Sequence, residues 1–140
     1  MWGDYLKKAA FFFVLCVLLS MLSGCAGDLP KVEGSGPWDC SVSAVNHDNK
    51  DVYEITYSRI YVKSETGTLT VDNRNDFPIT VHLMPQNFNK PSKAEEAETT
   101  VEGGQSVPIP VEKELMYEVG VHADVPDGTE VKLTVSDSKQ

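Results

Sequence analysis

Three short segments in the second half of the chain alternate apolar and polar residues with a period of two. They cover residues 77–83, 115–123 and 131–135. Successive side chains of a β-strand point to opposite faces of a sheet, so each segment is predicted to be a strand with one buried and one solvated face. Short strands separated by turn residues are typical of a sandwich or barrel. The chain is therefore predicted to be all-β.

The first half of the chain predicts further strands with a less regular phase. Tyr53, Ile55 and Tyr57 share one phase, which favours burial of both tyrosines in the core. The phase shifts near Ser58 and Arg59, where a β-bulge would absorb the change. Counted along the chain, about seven to eight strands predict an antiparallel sandwich, either immunoglobulin-like or a jelly roll.

Two prolines mark one strand as an edge of its sheet. Pro108 and Pro110 lie two residues apart in Val107–Val111, so both would face the same side of that strand. Proline has no backbone N–H to donate, and this side cannot form a normal ladder. The segment is predicted to be an edge strand with one protected flank.

The segment 85–98 is the one long polar stretch of the second half. Ser92 and Glu95 have the spacing of a capping box, which predicts a helical turn in its middle. The segment as a whole is predicted to be a crossover between two sheets.

The N-terminus has the features of a secretory signal peptide. Lys7 and Lys8 precede a fourteen-residue run, 9–22, in which Ser20 is the one polar residue. A helix needs roughly 20 apolar residues to span a membrane, so the run is short for a spanning helix. It ends in the sequence Leu-Ser-Gly-Cys at 22–25.

This tetrapeptide resembles the lipobox of bacterial lipoproteins, and the resemblance covers residues 1–25. It implies that residues 1–24 are a signal helix removed by cleavage and that Cys25 becomes an acylated, palmitate-bearing N-terminus. It further implies a membrane partner, reached through this lipid, on the outer face of a bacterial membrane. This is the cell membrane, or the outer membrane if the source has one.

The sequence predicts a tether and one domain after the anchor. Residues 25–37 are rich in glycine and proline, which is typical of a flexible tether. Residues 38–140 form a β-sandwich domain of ordinary length for a single core. Cleavage after residue 24 removes two lysines and one aspartate, which changes the net charge from −9 to −10. Nucleic acid is not an expected partner, because binding it depends on Lys and Arg. The acidity is attributed to solubility in preference to recognition of a cationic partner.

Cysteine usage leaves the domain without an internal disulfide. The lipobox resemblance implies that Cys16 is removed with the signal peptide and that Cys25 is acylated, which leaves Cys40 without a partner in the mature chain. Cys40 is interpreted as a small buried apolar residue, because its neighbours are acidic and a reactive thiolate needs an electropositive setting.

Two histidines suggest a metal site. His82 and His122 fall on the outward faces of their strands, and Glu118 shares the outward face of the second strand. If the strands are neighbours in register, these residues offer nitrogen and oxygen ligands to zinc or copper. The alternative is a pair of solvated surface histidines. No cofactor is predicted.

Exposed aromatic residues suggest contact with a sugar or a partner. Trp38, at the junction of tether and domain, and Phe88, in the long polar segment, are the residues expected to be exposed. Two clusters of Asp and Asn, at 48–51 and 72–76, are interpreted as turns in preference to calcium sites, since neither has the spacing of an EF-hand loop.

No catalytic motif is evident, and the chain is predicted not to be an enzyme. The sequence predicts a lipid-anchored, non-catalytic binding or accessory module of the cell envelope with an unidentified protein or glycan partner. The alternative is a lipoprotein that binds a small ligand, either a metal ion or a glycan.

Overall fold

The computed structural model of the chain describes residues 29–46, 53–88 and 90–138. In these residues all regular secondary structure is β-strand, which confirms the all-β prediction. The eight strands are β1 (Trp38–Ser43), β2 (Thr56–Lys63), β3 (Thr68–Asn73), β4 (Ile79–Gln86), β5 (Ala97–Val101), β6 (Ser106–Pro110), β7 (Met116–His122) and β8 (Glu130–Asp137).

The strands form two antiparallel sheets of four strands each. Sheet 1 has the order β1-β8-β3-β6 and sheet 2 has the order β2-β7-β4-β5. The first strand pairs with the last, the second with the seventh, the third with the sixth and the fourth with the fifth. This nested pairing is that of a jelly roll, the second of the two predicted sandwich topologies.

The core lies between the two sheets and follows from the alternation. In β8, Val131, Leu133 and Val135 point inward, and in β4 the inward residues include Val81 and Leu83. Each such side chain, when fully buried, contributes roughly 1.5–3 kcal/mol to folding. Apolar packing therefore defines which face of each sheet is inside.

Cys40 belongs to this core, as predicted. Its side chain is buried and unpaired. Burial, with the nearby carboxylate of Asp39 adding to it, raises the pKa of the thiol to about 11, although a hydrogen bond with Ser58 acts in the opposite direction. The thiol is therefore protonated and inert at neutral pH.

The strand that contains the two prolines is an edge strand, which confirms the prediction. β6 pairs on one side with β3 and ends sheet 1. Val107 and Ile109 face the core, whereas Pro108 and Pro110 are exposed. Sheet 1 is thereby protected from edge-to-edge association along this flank.

β2 contains the predicted bulge. Its pairing with β7 shifts register between Tyr57 and Tyr61. Arg59 has a φ of 60°, a left-handed conformation that is uncommon for a residue other than glycine. Ser58 Oγ donates to the carbonyl of Val119 at 2.7 Å and accepts the amide of Ile60 at 3.0 Å, which holds the bulged backbone in place.

The predictions for the segment 85–98 are wrong. The segment joins β4 to β5, which are neighbours in sheet 2, so it is not a crossover between sheets. Among the described residues of the segment no helical turn forms: 91–96 have neither helix nor turn, and Ser92 Oγ accepts the amide of Ala94 and donates to Glu112 in the loop after β6. β5 begins at Ala97 and was not predicted. Val101 is its one fully buried residue, so the sequence of β5 has no clear alternation of apolar and polar residues.

The compact unit that carries the strands is Lys31–Gln140. It includes the last residues of the predicted tether: Val32 packs against the core, and the carbonyl of Glu33 accepts the indole N–H of Trp38 at 2.7 Å. The predicted signal helix and Cys25 lie outside the described residues. The described residues include no helix with the length and hydropathy needed to cross a membrane.

Candidate recognition surface on the outer face of sheet 2

The outer face of sheet 2 brings the two predicted histidines together. β4 and β7 are neighbours, with His82 opposite Gly120 and Thr80 opposite His122. His82 and His122 are therefore diagonal neighbours, and both point outward as the alternation predicts. Diagonal neighbours in a sheet are within reach of aromatic side chains.

Gly120 makes room for aromatic rings on this face. A Cβ atom at this position would lie 2.8 Å from ring carbons of Tyr57 and 2.9 Å from the Ile55 side chain. A glycine inside a strand often marks such a close approach. The absence of a side chain at Gly120 allows Tyr57 and Ile55 to lie directly on the sheet.

The prediction that Tyr53 and Tyr57 are core residues is wrong. Tyr53 is 52% exposed and Tyr57 is 37% exposed. Both residues share a phase with Ile55, as predicted, but that phase faces the outside of sheet 2. The two rings are partly desolvated by His82, His122 and Gly120 beneath them, and each keeps a surface open to solvent.

His82 is buried although it lies on the outer face, so the expectation of a solvated histidine is wrong for this residue. It is 3% exposed, because Tyr53 and Glu96 cover it. Its Nε2 atom lies 3.2 Å from the hydroxyl of Tyr53, and its Nδ1 atom lies 3.2 Å from Oε1 of Glu96. Nε2 thus has a hydrogen-bonding partner and Nδ1 has a carboxylate beside it, in keeping with the need of buried polar groups for partners.

His122 supports the ring of Tyr53. The two ring centroids are 3.8 Å apart with an interplanar angle of 34°. Its Nδ1 atom lies 2.6 Å from the carbonyl oxygen of Glu54. A carbonyl oxygen can only accept, so Nδ1 carries the proton in this contact. Tyr53 is consequently held from below by a stack and at its hydroxyl by His82.

Glu96 links His82, which holds Tyr53, to the second tyrosine, Tyr57. Its Oε1 atom, already in contact with His82, also accepts the hydroxyl of Tyr57 at 3.3 Å. Burial raises the pKa of the Tyr57 hydroxyl, and the charge of Glu96 raises it further. Glu98 lies beside Glu96, with an oxygen 4.0 Å from His82 Nδ1 and a side chain 63% exposed. The rings are therefore bordered by carboxylates.

The predicted metal site gains no support from these positions. Glu118 is four residues from His122 on the same strand, a separation of about 13 Å along the backbone. Its carboxylate accepts the amide of Arg59 at 3.1 Å, and both nitrogens of His82 are engaged. Among the described residues, no group of three His, Cys, Asp or Glu is arranged to hold a metal ion. Metal binding stays a prediction.

Phe88 and Trp38, the two aromatic residues expected to be exposed, differ in burial. Phe88 is exposed, as predicted. Trp38 is buried, contrary to the prediction, because its ring packs against Gly36, where a Cβ atom would lie 2.9 Å from the ring. Gly36 has a φ of 76°, which favours glycine. An open cleft of about 450 Å³ lies beside Trp38 and is lined in part by Lys31, Arg59 and Tyr61.

The side-chain amides of residues 72–76 hydrogen bond to backbone groups and stabilise the turn between β3 and β4, in agreement with the turn interpretation. Asn73 is buried, and its Nδ2 atom donates to the carbonyls of Phe77 at 2.8 Å and Val101 at 2.9 Å. Asn75 exchanges hydrogen bonds with the backbone of Lys132. The cluster at 48–51 lies outside the described residues.

The outer face of sheet 1 has a different composition. It carries short side chains that pair with one another across strands, as in Thr134 to Asp39 at 2.7 Å and Ser41 to Glu130 at 2.9 Å. Among the described residues, half-exposed rings over histidines occur on sheet 2 and not on the outward positions of sheet 1. No protein-family model, curated protein or solved structure matches the chain.

Proposed function

We propose that the chain is a non-catalytic, lipid-anchored binding module on the outer face of a bacterial membrane. It contacts another protein of the envelope through the outer face of sheet 2. The observation that supports this function is the pair of partly exposed tyrosine rings, Tyr53 and Tyr57, placed over His122 and Gly120.

Such rings suit a recognition surface for two reasons. Tyrosine is enriched in protein interfaces, where its large apolar ring and polar hydroxyl contribute together. The two rings are also positioned in advance, by the stack on His122 and by hydrogen bonds to His82 and Glu96. A pre-positioned side chain loses little conformational entropy on binding.

The membrane location in this proposal rests on residues 1–25. A positive start, an apolar run and Cys25 at the end of Leu-Ser-Gly-Cys follow one another at the spacing of a lipoprotein signal. A diacylglyceryl group supplies two acyl chains, and stable anchoring takes more than one chain, each buried CH₂ contributing about 0.8 kcal/mol.

Cell fractionation and co-isolation of the tagged full-length chain test both parts of the proposal. The wild type is expected in the membrane fraction, and Cys25→Ala is expected to be released or to remain as an uncleaved precursor. A partner recovered with the wild type is expected to be lost with Tyr53→Ala and kept with Ser41→Ala, a change at an exposed position on the outer face of sheet 1. Membrane-bound Cys25→Ala of mature size would refute the anchor. Partner recovery that is equal for the two surface variants would refute the proposed surface.

A further inference from the structure

We infer that the outer face of sheet 2 binds cationic side chains, the arginines or lysines of a basic segment in the partner protein. This inference rests on the proposed function and adds the chemistry of the ligand to it. It combines two properties of the same surface: exposed aromatic rings and carboxylates without a lysine or arginine partner.

The rings provide the first part of a cation site. A guanidinium or ammonium group within about 6 Å of a tyrosine ring is attracted to the negative face of the π-system. One side of the Tyr53 ring is occupied by His122 at 3.8 Å, and half of the residue remains exposed. The open part of Tyr53 is therefore held in a fixed position where a planar guanidinium can stack on it.

The carboxylates provide the second part. Among the described residues, Glu96, Glu98 and Glu118 have no lysine or arginine side chain within 4.0 Å. Of the two basic residues of β2, Lys63 pairs with Glu114 at 3.6 Å, and Arg59 lines the cleft beside Trp38 and Tyr61. Among the described residues, these three carboxylates thus have no direct ion pair with a lysine or arginine.

On sheet 1, a carboxylate of similar exposure is paired within the chain. Glu130 is 62% exposed, close to the 63% of Glu98. It lies 3.8 Å from Lys132 and accepts a hydrogen bond from Ser41 at 2.9 Å. Glu98 has equal exposure, but the group near it is His82 at 4.0 Å. Among the described residues, Asp39 and Asp72 on sheet 1 also lack a lysine or arginine partner but accept hydroxyls from Thr134 and Ser106, so it is the contrast between Glu98 and Glu130 that favours a cationic ligand at sheet 2.

Titration of the purified full-length chain with hexa-arginine tests the inference. Hexa-citrulline, in which each guanidinium is replaced by a neutral urea of nearly the same shape, is the matched control peptide. Glu98→Gln and Glu130→Gln remove the same charge from the two outer faces, and Tyr53→Ala removes the stacking ring.

Hexa-arginine is expected to bind and hexa-citrulline is not. Tyr53→Ala is expected to raise the Kd of hexa-arginine about two- to five-fold, which corresponds to 0.5–1 kcal/mol. Glu98→Gln is expected to raise it by a similar factor at low salt, with little effect from Glu130→Gln. Binding is also expected to weaken at 1 M salt, where the screening length falls to about 3 Å.

Three results would overturn the inference. Equal effects of Glu98→Gln and Glu130→Gln would indicate attraction to the overall negative charge. Equal binding of hexa-citrulline would exclude a role for the cation. Binding of maltohexaose that depends on Tyr53, without binding of hexa-arginine, would identify a sugar surface. The proposed function would survive any of these results if the partner recovered from cells still depended on Tyr53.

Discussion

The outer faces of the two sheets occupy equivalent places in the sandwich. They differ in which side chains they carry and in how much of those side chains stays exposed. On sheet 1, Thr134 and Ser41 direct their hydroxyls to carboxylates of the same face at 2.7 and 2.9 Å. On sheet 2, Tyr53 and Tyr57 are also hydrogen bonded, yet their rings remain partly exposed. Short polar side chains that hydrogen bond to one another have few polar groups left for a ligand. An aromatic ring held by a hydrogen bond at its hydroxyl still offers its apolar surface to a ligand.

The glycine of β7 creates this difference. β7 and β8 hold the second position in their sheets, and the counterpart of Gly120 in β8 is Thr134, which lies opposite Asp39 on one side and Asp72 on the other. Among the described glycines, Gly120 is the one at which a tyrosine ring and an isoleucine side chain occupy the space that a Cβ atom would take. This one small residue thus makes room for the Tyr57 ring on the outer face of sheet 2.

Gly120→Val is expected to give the largest effect of the variants that compare the two faces. The new side chain would displace both Tyr57 and Ile55, and overpacking of this kind costs up to about 3 kcal/mol of unfolding free energy. Ser136→Val, at an outward and half-buried position of β8 in sheet 1, is expected to change stability by no more than about 0.5 kcal/mol. Urea denaturation of both variants measures the difference. Equal stabilities would contradict the packing described for Tyr57.

Changes at Tyr53 are expected to have a smaller effect. Tyr53→Ala removes the stack on His122 and the hydroxyl partner of His82, for an expected loss of about 2 kcal/mol. Tyr53→Phe keeps the stack and removes the hydroxyl, for an expected loss of about 1 kcal/mol. Ser41→Ala on sheet 1 breaks an exposed hydrogen bond and is expected to have almost no effect on the denaturation midpoint. A loss for Ser41→Ala as large as that for Tyr53→Ala would remove the contrast between the faces.

The smallest expected effect is a pH dependence that belongs to sheet 1. Burial raises the pKa of Asp137, but hydrogen bonds from Ser64 Oγ at 2.6 Å, the Glu65 amide at 2.8 Å and Thr66 Oγ1 at 2.8 Å outweigh it and hold the pKa below its usual value. These bonds tie the end of β8 to the turn between β2 and β3.

A lowered carboxyl pKa gives this contribution a definite sign. The stabilisation is fully present above the unfolded-state pKa of Asp, about 3.9, and is lost as the pH falls through the lower folded-state value. Asp137→Asn is expected to lower stability at pH 7 and to flatten its decline below about pH 4. Thermal denaturation as a function of pH measures this. An unchanged acid profile in the variant would show that Asp137 does not contribute.

The sequence predicts the inner half of the molecule well. Alternation at Val81, Leu83, Leu133 and Val135 correctly marks buried positions, because a period of two fixes which residues share a face. Proline has no amide to donate, so Pro108 also marks β6 as an edge. These features depend on local chemistry, and local chemistry is visible in a sequence.

The outer face of sheet 2 could not be predicted in the same way. Alternation shows that Tyr53 and Tyr57 lie on one face, but the choice between inside and outside depends on pairing with β7, a non-local contact. The signal that was available is Gly120 in the middle of an alternating strand, since such a glycine indicates close approach of another group. β5 escaped prediction because Val101 is its one fully buried residue.

Site-specific photo-crosslinking in cells tests the central claim most directly. A benzophenone side chain at Thr100 reports on the outer face of sheet 2, and the same group at Ser41 reports on sheet 1; both positions are exposed and lie outside the aromatic cluster. The proposed function predicts a defined protein adduct from Thr100, none from Ser41, and loss of the Thr100 adduct when Tyr53→Ala is added. An adduct from Ser41 alone, or equal adducts from both positions, would contradict it.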